Sequence, residues 1–83
     1  MKATVRFLSR ALDYEQHLLR NDYSVALNGG EERRIGQYDD GSFSDNPSAA
    51  ERDAIGEYLA MRDAEYRTWY RDYFLPLLRK INP

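Results

Sequence analysis

The chain has 83 residues, no cysteine and one histidine, and its 12 basic and 14 acidic side chains leave a net charge of −2. Disulfides and thiolate metal sites are therefore excluded, ordinary zinc chemistry lacks its ligands, and the slight acidity argues against a general nucleic-acid binder. Residues 1–83 read as a single domain, with no internal repeat, no linker and no apolar run near the roughly 20 residues that cross a bilayer.

Taken in chain order, the first predicted element is a helix over residues 2–20. Val5, Phe7, Leu8, Ala11, Leu12, Tyr14, Leu18 and Leu19 fall on one half of a helical wheel, and Lys2, Arg6, Ser9, Arg10, Asp13, Gln16, His17 and Arg20 on the other. Tyr23, Val25 and Leu27 then alternate with smaller residues, which predicts a half-buried strand over 22–28. Asn28-Gly29-Gly30 supplies the positive φ angles of a hairpin turn. The return strand is expected over 32–38 with Ile35 pointing inward. Asp39-Asp40-Gly41 is a second turn, and 42–44 is short enough for an edge strand.

Asn46-Pro47-Ser48 opens a long helix expected over 47–75. Either Asn46 caps it with Pro47 at the first helical position, or Ser48 caps it in a capping box with Glu51. Pro76 is expected to kink or end it, with Leu77, Leu78 and Ile81 folding back onto the body. The predicted class is α+β: an N-terminal helix, a small three-stranded antiparallel meander and a long C-terminal helix kinked at Pro76.

Two charges stand out. Glu15 and Arg62 are each the lone charged residue within an otherwise apolar helix face, so the pattern predicts that the two helices pack together and the pair meets. His17 points away from Glu15, which leaves no acid–base pair, and no catalytic, cofactor or metal site is expected. A minor reading treats Lys2, Arg6 and Arg10 as a basic ridge.

Seven Tyr and one Trp are many for this length. Tyr58, Tyr66 and Trp69 are expected in the core. Tyr70, Arg71, Tyr73 and Phe74 spread too widely around the helix for one face to hide, and they are the first candidate partner-binding surface. The second is acidic. Residues 31–53 hold seven acidic and three basic side chains, and Glu31, Glu32, Asp39 and Asp40 at the turns would present negative charge to a basic partner.

Residues 21–29, Asn-Asp-Tyr-Ser-Val-Ala-Leu-Asn-Gly, together with the predicted helix–meander–helix plan, resemble a phage-encoded anti-CRISPR protein. The resemblance implies a non-enzymatic inhibitor in the host cytoplasm, binding a CRISPR effector complex and blocking its nucleic-acid binding or activity. It implies no cofactor, no membrane and no direct nucleic-acid contact. Two other readings stand beside it: a homodimeric assembly module built on the aromatic helix, and a small nucleic-acid-binding regulator using Lys2, Arg6, Arg10 and Arg71.

Overall fold

The computed structural model describes residues 2–81. It is α+β, with three antiparallel strands followed by a helical C-terminal third: β1 (Ala3–Asp13), β2 (Leu18–Leu27), β3 (Arg33–Tyr38), α1 (Ala49–Trp69), a π-helical turn (Tyr70–Phe74) and α2 (Leu75–Ile81). The sheet order is β1-β2-β3, a plain meander with β2 in the centre.

The first element corrects the sequence reading. Residues 2–20 form no helix; they supply β1, a turn and the start of β2. The physical cause of the misreading is a bulge. Strand pairing runs Val5 with Val25 and Phe7 with Tyr23, then slips so that Ser9 meets Asp22 and Leu12 meets Leu19. Before the slip the inward positions are Ala3, Val5 and Phe7; after it they are Arg10 and Leu12. One extra residue at Leu8 changes the phase of the period-2 pattern, and Val5, Leu8 and Leu12 then fall at spacings of three and four, which mimics a helix. Asp13 closes the strand, its Oδ1 accepting from the Glu15 and Gln16 amides, and His17 takes a left-handed φ of 56°.

The next elements follow the sequence more closely. β2 extends four residues further toward the N-terminus than expected, Asn28 and Gly29 both have positive φ, and β3 begins at Arg33 with Ile35 fully buried. The expected edge strand at 42–44 reduces to one bridge between Phe43 and Gln37. Ser48 caps α1: its hydroxyl accepts from the Glu51 amide while the Glu51 carboxylate accepts from the Ser48 amide.

Tyr23, Val25, Ile35, Ala54 and Ile55 make the core, with Val5, Leu27, Phe43 and Tyr58 packed around it. Tyr58 meets Tyr23 edge-to-face at 6.0 Å, and Phe7 meets Tyr23 likewise at 5.9 Å. The helix therefore starts beside β3, where the Arg33 side chain reaches Glu51 at 2.8 Å, and runs over β2 to β1, where Leu59 and Arg62 flank Phe7. It then leaves the sheet past the β1 edge. No strand residue lies within 8 Å, Cα to Cα, of Tyr70–Ile81. The principal extents of 50 × 34 × 17 Å match a helix of about 50 Å lying across strands of about 35 Å in two layers. The radius of gyration, 16.3 Å, exceeds the roughly 12 Å of a compact chain of this length.

The C-terminus also departs from expectation. The helix does not stop at Leu75, and Leu77 and Ile81 stay exposed rather than folding back. Pro76 has no amide hydrogen, and its ring crowds the carbonyl four residues earlier, that of Asp72. The irregularity lies one turn before the proline, where the Leu75 amide donates to the Tyr70 carbonyl across five residues.

Candidate functional site

Beyond Arg62 the helix is an overhang: residues 63–81, about 28 Å, with no sheet beneath its outer turns. Helical spacing places Tyr66, Trp69, Tyr70, Tyr73 and Phe74 next to one another. Tyr66 lies 6.0 Å from Trp69 and 6.2 Å from Tyr70, and Trp69 stacks on Tyr73 at 6.1 Å. Phe74 stacks on both Trp69 and Tyr70, at 5.4 and 5.3 Å. The first of these contacts spans five residues, which a regular α-helix would turn about 140° apart. The wider π-turn brings the two rings together, so Pro76 contributes to the shape of the aromatic surface from outside it.

These rings cover one another, and no other described element covers them. Tyr66 is 59% exposed, Trp69 46% and Tyr73 63%. The expectation that Tyr66 and Trp69 belong to the core is thus corrected, because the helix has left the sheet before it reaches them; only Tyr58 packs there. Tyr70, Arg71 and Tyr73 are exposed and Phe74 is half-buried. Arg71 is engaged with its neighbour Asp72 at 2.7 Å and Arg67 with Asp63 at 2.9 Å, which leaves the aromatic stripe flanked by ion pairs.

The Glu15–Arg62 pair is absent. Glu15 lies in the exposed β1–β2 turn, and Arg62 is exposed on α1 with its guanidinium 5.9 Å from the centre of the Tyr58 ring. With no N-terminal helix there is no second apolar face for Arg62 to share.

The acidic candidates do not form one patch. Glu31 and Glu32 sit at the start of β3 and Asp39 and Asp40 beyond its far end, and most are already engaged. Glu32 meets Arg6 at 3.5 Å, Asp39 takes a two-pronged contact from Arg10, and Asp40 accepts from the Ser42 amide and hydroxyl. Those same contacts dissolve the basic ridge, since Arg6 and Arg10 reach toward opposite ends of β3.

Sequence reasoning missed a polar network on the sheet face away from the helix. Asp22 accepts from Arg20 and Arg34, each at 2.7 Å, and Arg20 also reaches Asp45 at 2.9 Å. Burial pushes the Asp22 carboxyl up, but the two guanidinium groups outweigh it and hold it below the usual range. Tyr38 donates to Asp13 at 2.9 Å, which lowers Asp13 and raises the phenol. A concavity of about 470 Å³ opens beside these groups. Its Asp13, Arg20 and Asp22 are satisfied by each other and by their neighbours. The only sequence signal was the alternation Arg20, Asp22, Ser24, visible once that stretch is read as a strand.

Among the described residues no three His, Asp or Glu side chains gather as a metal site requires, and no helix is long and apolar enough to cross a membrane. Comparison with protein families, curated proteins and solved structures returns no match.

Proposed function

We propose that this chain acts by binding protein, without chemistry of its own, and that the aromatic overhang is its binding surface. The observation that carries the reading is the stacked row Tyr66, Trp69, Tyr70, Tyr73 and Phe74 on a helix that has left its own core. Aromatic side chains present roughly 150–250 Å² each. At the observed exposures, five of them offer on the order of 500 Å², at the upper range for a contiguous apolar patch on a monomer. Tyr, Trp and Arg are also the residues most enriched at binding hot spots, and π-turns occur often at functional positions.

The inhibitor class implied by residues 21–29 falls within this reading. The helix–meander–helix plan that accompanied that resemblance begins here with a strand, so the likeness rests on the nine residues alone. An inhibitor of this shape would meet its target with the overhang, because the acidic turns are separated and internally paired.

Site-specific photocrosslinking tests the reading. A benzophenone side chain at Tyr73 should give protein adducts in cells, whereas one at Tyr14, 79% exposed in the β1–β2 turn, should give few. Equal adducts at both positions, or none at Tyr73, would refute it.

A further inference from the structure

We infer that the occupant of the overhang is a second copy of this chain, joined edge to edge through β1. The inference rests on the protein-binding reading above and names its partner. Two unpartnered features lie on the same side of the molecule. One is the aromatic overhang, which leaves the sheet past β1. The other is β1 itself, an outer strand of 11 residues whose outward amides and carbonyls pair with no other strand among the described residues. The opposite edge is different: Phe43 bridges Gln37, the Tyr38 amide donates to Ser42 and the Ser44 amide to Gly36, so β3 is already covered in part. A bare edge of this length is a template for another strand.

A twofold axis normal to the sheet between Leu8 and Ser9, at the bulge, would pair β1 antiparallel with its copy, setting Phe7 opposite the copy's Arg10 and Val5 opposite its Leu12, so that helix-side positions meet across the seam of one six-stranded sheet. Both helices then lie on the same side. Each helix takes about eight residues, from Glu51 over Arg33 to Leu59 beside Phe7, to cross its own three strands. Carried on, the next three turns, from Arg62 through Tyr73, would cross the three strands of the partner. They would land on the half of its sheet that its own helix leaves open, where Leu12 and Leu19 lie on the helix-side face yet stay uncovered, at 47% and 38% exposure. The contact is isologous and closes on itself.

Charge supports the same pairing. Residues 61–81 carry five basic and three acidic side chains, and the remainder seven basic and eleven acidic. The far end of the sheet, where the overhang would arrive, holds Glu15 in the β1–β2 turn, beside Asp39 and Asp40, of which Asp39 is already met by Arg10. The overhang's patch, on the order of 500 Å², is a large part of the roughly 800 Å² per partner of a standard interface, and the seam along β1 and the open half-sheet would add to it. A buried core of five residues in each chain is small enough that a second layer of contacts would be a large part of the stability.

Trp69 is the sole tryptophan and the chain has no cysteine, so the test is clean. Sedimentation equilibrium of the full chain from 1 to 300 μM should show twice the chain mass. Trp69 emission should shift to the blue as the dimer forms. The double variant Tyr70→Ala with Tyr73→Ala should weaken association at least tenfold. As a measurement independent of that variant's folding, Leu8→Cys should form an interchain disulfide under mild oxidation, whereas Glu57→Cys, on the exposed helix surface, should not. A monomer throughout, a dimer with Trp69 still in water, or equal cross-linking by both cysteines would overturn the inference. A monomer that still gives Tyr73 adducts in cells would leave the protein-binding reading intact and assign the overhang to a different protein.

Discussion

The two halves of the long helix share one backbone and differ in what they rest on. Residues 49–60 bury Glu51, Ala54 and Ile55 on the sheet, over β2 and β1 with Ile35 and Arg33 reaching in from β3, and Tyr58 is half-buried on Tyr23. Residues 61–81 carry the larger aromatic content and bury none of their side chains fully. Ile55 is fixed by the sheet below it, while Trp69 is held only by its neighbours on the same helix. Aromatic content alone therefore does not locate a core; a facing layer does.

Mutations should separate the halves. Ile55→Ala removes one of three side chains with essentially no exposure. It should destabilise the chain by about 2–5 kcal/mol in denaturant titration, enough to unfold most molecules of a domain this small. Trp69→Ala, measured in dilute solution where association is absent, should cost under about 1 kcal/mol. A comparable loss at both positions would erase the distinction.

Asp22 comes next in size. Its side chain is 13% exposed and accepts from two arginines and from Ser9. Asp22→Ala should cost about 1–3 kcal/mol, discounted from a fully buried pair because Arg34 is largely exposed. The same groups set the acid limit. Asp22, Asp13 and Glu51 all have carboxyls held below their ordinary values. Their contribution is thus fully present above the unfolded carboxylate range near pH 4 and is lost as pH falls through the lower folded values. Stability should drop between about pH 4 and pH 2, and Asp22→Ala should flatten that drop.

Gly36 lies beneath the same network, and a Cβ there would run into the Arg20 guanidinium and the Ser44 hydroxyl. Gly36→Ala should displace Arg20 from Asp22 and cost about 1 kcal/mol, less than Asp22→Ala because a flexible side chain can move aside. The smallest expected effect is a gain. Gly56 sits on the exposed side of α1 with open space around it, so Gly56→Ala should stabilise the helix by up to about 1 kcal/mol. Its partner test in the overhang, Thr68→Ala, should change dilute-solution stability by only a few tenths of that unit, since no sheet depends on that turn.

Several parts of this molecule were written locally. Ser48 and Glu51 are spaced for a capping box, Asn28-Gly29 for two residues of positive φ, and Tyr23, Val25 and Leu27 for a strand with one buried face; each depends on atoms a few residues apart. The β1–β2 hairpin was misread because its bulge at Leu8 replaced a clean alternation with spacings of three and four, and only pairing with β2 shows the slip. Ile35 was legible as inward, and Tyr70 and Tyr73 as exposed, from the breadth of the aromatic arc. What tertiary structure alone decided is where the helix meets the sheet and where it departs. Tyr58 and Tyr66 look alike in the sequence, eight residues apart on one stripe. One packs on Tyr23 and the other stands in solvent because three strands are only about 10 Å wide, and the helix has crossed them before Tyr66 is reached.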